Sequence, residues 1–320
     1  METADRLHFR GMMPLMPTAV TDSGDLDESS QRRVIDYCLE SGVAALGHFG
    51  FASEFYKIGR EDRRDLIELI VEHVAGRLPV FFGITAPSTR IMLDYAAEAE
   101  ALGADFLMVS LPYIDIPDAD GAYALFERLA GVAALPLMIQ DTPATNPILT
   151  PQLIERLVSQ FESIQLVKAE GTNFVAKTEQ LMKRLGNRVQ VIGGAGGKHM
   201  IHLLRMGVEA FITGTEALDI HAAVVNSFLA GDRDEAARIY FERLLPYFTF
   251  YNDHPEELLK KMLHMRGVLD CPAPVDPPNK PPMSDIEWRE FQWILDRIGY
   301  DANTVNRSEN NKPHGSEGRA

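Results

Sequence analysis

The chain predicts a (β/α)₈ TIM barrel followed by a helical C-terminal extension, and three observations carry that prediction. From residue 12 onward, short apolar runs alternate with amphipathic segments of helical period, the pattern of βα units on a parallel sheet. Eight such units fit before Gly214, which suits closure better than an open doubly wound sheet. The first run, ending near Val20, is not followed by the Gly-rich nucleotide fingerprint that an open sheet would place there. A barrel of this type needs about 250 residues, and the chain has 320.

The strands are expected at 12–19, 44–49, 80–85, 106–111, 137–140, 164–168, 189–192 and 210–213. Helix starts are marked by Asp27-Glu28-Ser29-Ser30, by Pro87-Ser88-Thr89 and by Thr150-Pro151, where a side-chain oxygen caps the first turn and proline tolerates it. Helix ends are marked by Gly42, Gly76, Gly103 and Gly207. Leu102-Gly103-Ala104-Asp105 recurs as Met206-Gly207-Val208-Glu209, a helix stop feeding directly into a strand. After Gly214 the apolar spacing turns wholly helical, over 222–229, 236–248, 256–265 and 288–298, with a proline-rich connection from Cys271 to Pro282. The expected organisation is a barrel over 1–216, a helical extension over 217–300, and a polar tail over 301–320 expected to be disordered.

Composition narrows the function. A hydrophobic fraction of 46% with 24% charged residues is that of a soluble globular protein. The net charge of −15 argues against nucleic acid or an anionic membrane as partner, since both demand clustered Lys and Arg. Cys38 and Cys271 fit no ligand spacing, so free thiols in a cytoplasmic protein are expected, with no structural zinc. No cationic lead enters an apolar stretch at the N-terminus and no run reaches the roughly 18 apolar residues of a membrane helix; the chain is read as unprocessed and soluble.

In a closed parallel barrel, chemistry gathers at the C-terminal ends of the strands. That rule selects Pro17 and Thr18, Gly50 to Glu54, Thr85, Pro112 and Tyr113, Gln140 and Asp141, Lys168 and Glu170, Gly193 to Gly197, and Thr213 to Thr215. Lys168 stands out, because it closes the apolar run Ile164-Gln165-Leu166-Val167. Burial penalises an ammonium more than a neutral amine, so a lysine at that place suits condensation with a ketone. A lysine that merely leads off the next loop is the competing reading.

These residues also spell out a family. Gly11 to Thr18 with Gly24 and Asp27, the Gly50 to Glu54 loop, Gly76-Arg77-Leu78-Pro79-Val80 leading to Gly83, Pro112-Tyr113, Pro143 and Lys168 resemble the dihydrodipicolinate synthase and N-acetylneuraminate lyase family over residues 9–300. The resemblance implies a class I Schiff-base lyase on a (β/α)₈ barrel, acting on a 2-keto acid such as pyruvate, without metal or other cofactor, and assembled as a homotetramer or dimer. It also shows departures. Family aldolases carry a proton-shuttling tyrosine where Gln140 stands; the synthase carries Thr-Thr where Phe51 and Ala52 stand, a second tyrosine at Ile114, and an arginine near Ala144, Thr145 and Asn146. Lysine biosynthesis is therefore not expected. Ser53-Glu54-Phe55, Ile139-Gln140-Asp141 with Pro143-Ala144, and Lys168-Ala169-Glu170 look most like the 2-keto-3-deoxy-L-arabonate dehydratase branch.

The expected catalytic residues are Lys168 as the Schiff-base amine, Glu170 as the base for the C3 proton, and Gln140 to orient hydroxyls or a water. Residues two apart on a strand share a face, so Glu170 looks inward with Lys168 if the strand reaches it; a salt-bridge partner is its alternative role. Substrate binding is expected from Gly50, Phe51, Ala52 and Ser53, whose hydroxyl and loop amides suit a carboxylate, from Tyr113, from Gly193 and Gly194, and from Thr213. Packing at a subunit contact is the role the sequence favours for Tyr113. Asp141 is read as a loop residue rather than a second acid, His48 as structural, and the Gly193–Gly197 run as a carboxylate or hydroxyl site rather than a phosphate cradle. The function expected is dehydration of a 2-keto-3-deoxy sugar acid, against a pyruvate-releasing aldolase or hydratase-aldolase and against a barrel that binds a keto acid without turnover. Phe49, Phe51 and Phe55 point to a more apolar pocket, leaving an aromatic or branched keto acid open.

Overall fold

A computed structural model describes residues 6–143 and 148–300; the expectations attached to Ala144, Thr145, Asn146 and the tail over 301–320 lie outside these. Among the described residues eight strands form one parallel sheet: β1 (Gly11–Met12), β2 (Leu46–His48), β3 (Val80–Gly83), β4 (Phe106–Val109), β5 (Leu137–Asp141), β6 (Ile164–Ala169), β7 (Gln190–Gly193) and β8 (Ala210–Phe211). Consecutive strands pair from β2 to β8, and β8 pairs with β1 through Gly11 opposite Ala210. The ring closes between β1 and β2 by a bridge from Leu15 to Gly47 and by Gly47 N–H donating to Pro14 O and Met16 N–H to Gly47 O. The first strand is shorter than the expected 12–19, because Pro14 and Pro17 bring no N–H to the ladder. The last strand also falls short of 210–213.

Helices α1 (Glu28–Glu40), α2 (Arg60–Val74), α3 (Thr89–Ala101), α4 (Ala119–Ala130), α5 (Pro151–Gln160), α6 (Phe174–Leu185), α7 (Met200–Met206) and α8 (Leu218–Leu229) each follow a strand. Their starts are those the side chains dictate: Asp27 accepts from Ser30 N–H, Ser88 from Ile91 N–H and Thr150 from Leu153 N–H. At the repeated helix-stop motif Gly103 and Gly207 take φ of +100° and +99°, where glycine carries no Cβ penalty. The expected boundary at 216/217 falls just before α8, which lies against β1.

The extension comprises α9 (Arg233–Ile239), α10 (Leu245–Tyr251), α11 (Pro255–Met265) and α12 (Asp285–Arg297). The single helix expected over 236–248 is interrupted by a π-turn at Tyr240–Leu244. Pro246 follows at once; its ring and missing N–H cannot join a regular α ladder, and a widened turn absorbs the conflict. The barrel interior is filled by inward side chains such as Met13, Phe81, Phe106, Met138, Leu166 and Ile192, with the Phe81 and Phe106 rings stacked at 4.8 Å. Val167 and Ala169 belong instead to the layer between sheet and helices, so alternation along β6 points Leu166 and Lys168 inward.

Candidate active site

Lys168 sits in the last turn of the sheet register before the barrel mouth, opposite Gln140 on β5 and Ile192 on β7. It is 3% exposed. β6 ends at Ala169, yet Glu170 keeps the strand's direction: its Oε1 lies 3.0 Å from Lys168 Nζ. That oxygen also accepts the Ala195 N–H at 2.9 Å, while Oε2 accepts Gln140 Nε2–H at 3.0 Å. The three expected catalytic residues therefore meet in one hydrogen-bonded group. Gly194 makes room for it, since a Cβ there would lie 2.3 Å from Glu170 Cγ.

Asp141, read from sequence as a loop residue, is the last residue of β5 and fully buried. It faces the opposite way from Gln140 and pairs with Lys177 of α6 at 2.8 Å. Burial pushes its carboxyl up to about 6, against the lowering effect of Lys177, and the Glu170 charge adds to the rise. It fastens the end of β5 to α6 and so steadies the segment between them that carries Lys168 and Glu170.

The turn after β2 stands across the ring from β6. Phe51–Ser53 form one turn of 3₁₀ helix in which Ser53 N–H bonds Gly50 O and Glu54 N–H bonds Phe51 O. The Ser53 hydroxyl, expected to face a carboxylate, donates instead to Met16 O at 2.5 Å, and Thr18 donates to Ser53 O at 2.7 Å. This turn is thus fastened to the chain after β1, and its first amides, those of Phe51 and Ala52, are the ones a helical turn leaves open. Gly50 permits the approach of Leu15, whose Cδ1 would lie 2.4 Å from an added Cβ. Tyr113 is half-buried in an aromatic cluster, edge-on to Phe55 at 5.6 Å and 6.3 Å from Tyr56. Gly193 packs under Phe211 and its carbonyl accepts the Ile212 N–H; the Thr213 hydroxyl donates to Gly214 O at 2.8 Å. His48 is fully buried, with Nδ1 accepting the Phe49 N–H, and burial drives it down to about 3.

The clamp made by Glu54, a residue the sequence placed only at the mouth, and the whole of Glu216 escaped the sequence reading. Glu54 is fully buried, and its carboxylate takes Lys57 at 2.7 Å, Lys260 of α11 at 3.1 Å and the Val275 N–H at 3.0 Å, clamping the mouth turn to the extension. Glu216, in the loop after β8 and one residue beyond the Thr213–Thr215 segment selected from sequence, is buried and accepts the Tyr247 hydroxyl at 2.5 Å. Burial raises Glu216 from its ordinary value. Tyr247 and Tyr251 are four apart on α10 and so share a face, the signal that could have found them.

Comparison with known proteins places this architecture. The chain is 28% identical over 274 residues to an L-2-keto-3-deoxyarabonate dehydratase of Azospirillum brasilense, covering 83% of this chain and 87% of that one. It is 30% identical over 253 residues to a 4-hydroxy-tetrahydrodipicolinate synthase of Halorhodospira halophila, covering 74% and 80%. Among solved structures, YagE of E. coli K12, a prophage protein of the dihydrodipicolinic acid synthase family solved with pyruvate, superposes with a TM-score of 0.83 at 23% identity over 91% of this chain and 99% of that one. A synthase from Methylacidiphilum fumariolicum SolV superposes with 0.84 at 21% identity over 94% and 99%. The model of the dihydrodipicolinate synthetase family matches residues 8–290, and the chain belongs to that family of lyases.

Proposed function

We propose that the protein forms a Schiff base between Lys168 and a 2-keto acid and dehydrates a 2-keto-3-deoxy sugar acid. The observation that carries the reading is the buried Lys168–Glu170 pair, 3.0 Å apart and facing into the barrel. The Lys168 amine adds to the keto carbon and expels its oxygen as water, leaving a protonated imine that draws electrons from C3. Glu170 is then the base that removes a C3 proton, and Gln140, which cannot itself exchange protons at useful pKa, orients the substrate. The open amides of Phe51 and Ala52, in the turn from Gly50 to Ser53, suit the substrate carboxylate, and Gly194 leaves room beside Glu170. The similarity to the A. brasilense dehydratase supports a sugar-acid substrate. The synthase relatives support a second reading, carbon–carbon cleavage releasing pyruvate from the same imine.

We further propose a cytoplasmic homo-oligomer: Cys38 and Cys271 are free and buried, no helix among the described residues is long and apolar enough to cross a membrane, and Ile114, in the loop after β4, stands 77% exposed. The test of function is intact-mass spectrometry after borohydride reduction with pyruvate or a 2-keto-3-deoxy-pentonate, beside an assay for 2-oxoglutarate semialdehyde. A Lys168 adduct plus semialdehyde supports dehydration, an adduct plus pyruvate supports cleavage, and no adduct with either acid overturns the Schiff-base reading. Lys168→Ala is expected to lose adduct and turnover while keeping the fold.

A further inference from the structure

Dehydration needs an acid as well as a base, since the C4 oxygen must leave as water. Around Lys168 the strands supply none free for the task. Gln140 carries no ionisable proton, Glu170 is engaged with the C3 proton, and Asp141 faces Lys177 on the other side of the sheet. The extension brings a phenol to the loop after β7, whose Ala195 N–H is bonded to Glu170. Tyr251, at the end of α10, lies over Gly196, where an added Cβ would be 3.2 Å from Tyr251 Cε1. Ala195, the preceding residue, donates its N–H to Glu170, so neighbouring residues of the β7 loop hold the phenol ring and the carboxylate. Behind the phenol stands Glu216, which accepts the Tyr247 hydroxyl, with the Tyr247 and Tyr251 rings 4.9 Å apart. Gly214 leaves the space for that carboxylate: an added Cβ would be 2.2 Å from Glu216 Oε2. Burial, with the charges of Glu216, Glu256 and Glu170, holds the Tyr251 phenol well above its usual pKa, hence protonated.

We propose that Tyr251 is the acid of the reaction, donating its phenolic proton to the C4 oxygen, with Glu216 and Tyr247 as positioning residues. The step rests on the Schiff-base reading and balances within it. Glu170 has taken a C3 proton to give the enamine. The enamine electrons restore the imine and form a C3–C4 double bond as C4–O breaks. The oxygen leaves as water with the Tyr251 proton, and the proton on Glu170 returns to the phenolate. One C3 hydrogen and one C4 hydroxyl account for the water.

The test separates the two halves of the reaction. In deuterated buffer, wild-type enzyme is expected to exchange the C3 hydrogens of a 2-keto-3-deoxy-pentonate and to form semialdehyde. Tyr251→Phe is expected to keep borohydride trapping with pyruvate and C3 exchange within about twofold while semialdehyde formation falls about 100-fold or more. Glu216→Gln is expected to show the same pattern with a smaller fall, about tenfold, and carries the test alone should Tyr251→Phe fail to fold. Semialdehyde at the wild-type rate in the folded variants would overturn the proposal. So would parallel loss of exchange and dehydration, which would make the phenol a support for the whole site. Absence of trapping and exchange in the wild type would instead remove the Schiff-base reading, and this proposal with it.

Discussion

Both Glu170 oxygens are occupied before any substrate arrives, by Lys168, Ala195 N–H and Gln140. An ammonium offers three donors, and a protonated imine offers one. In the proposed reaction, imine formation would loosen the hold of Lys168 on Glu170 at the moment the C3 proton becomes acidic. The position of the carboxylate then depends on the loop behind it, and Gly194 is the residue on which the loop's closeness turns. Gly194→Ala would drive a methyl to 2.3 Å from Glu170 Cγ, so the carboxylate must move by about an ångström. The expected result is a drop in kcat/KM on the order of 100-fold with borohydride trapping retained. Full turnover in that variant would show that the placement of Glu170 is not what the reaction needs.

At the scale of elements, the mouth is held by clamps that run between segments distant in sequence. Asp141 joins β5 to α6, and Glu54 joins the turn after β2 to α11 and to the connection at Val275. Glu54 balances two lysines in a buried place, with Lys260 only 1% exposed and its amine lowered by desolvation against the opposing charge of Glu54. Glu54→Gln keeps the shape and removes the charge, leaving Lys260 buried without a counter-ion. The expected loss of stability is about 3–5 kcal/mol, read from urea unfolding. A change below about 0.5 kcal/mol would show the pair to be solvated rather than structural. These clamps explain what the sequence hid. Strand ends, helix caps and the Lys168–Glu170 spacing are local and periodic, so they can be read from neighbours in the chain. Glu54 with Lys260, or Glu216 with Tyr247 and Tyr251, are set by how the extension folds back on the mouth, and no local pattern encodes that meeting. Ser53 shows the same limit: its place at the mouth was legible, but not that Met16 O takes its hydroxyl.

For the whole molecule, buried titratable groups set the response to acid. His48 and His221 are fully buried and pushed down by burial to about 3 and about 4. In the unfolded chain they bind protons near the ordinary histidine value of about 6.5. Between those values the unfolded state holds more protons, so stability falls as pH falls below about 6.5. Asp141, raised to about 6, acts in the other direction: the folded state holds the extra proton, and stability rises as pH falls from about 6 toward about 4. The Glu216 carboxyl, raised by burial, acts in the same direction as Asp141, so the slope of stability against pH between pH 6 and 5 is the difference between the two histidines and these two carboxyls. Urea unfolding across that interval measures the slope. His221→Asn is expected to lower it, and an unchanged slope in that variant would exclude His221 as a contributor.

The clamp through Glu54 has a consequence for building variants of this barrel. The mouth turn, α11 and the proline-rich connection share one buried carboxylate, so they behave as a single inheritable block although more than 200 residues of chain, from Glu54 to Val275, separate its parts. Grafting a new mouth turn from a relative of different substrate range would import one half of a charge pair and leave Lys260 facing a stranger. Exchanges that carry the turn and the extension together should fold, and the same pairing sets which sequence changes at the mouth the protein can accept one at a time.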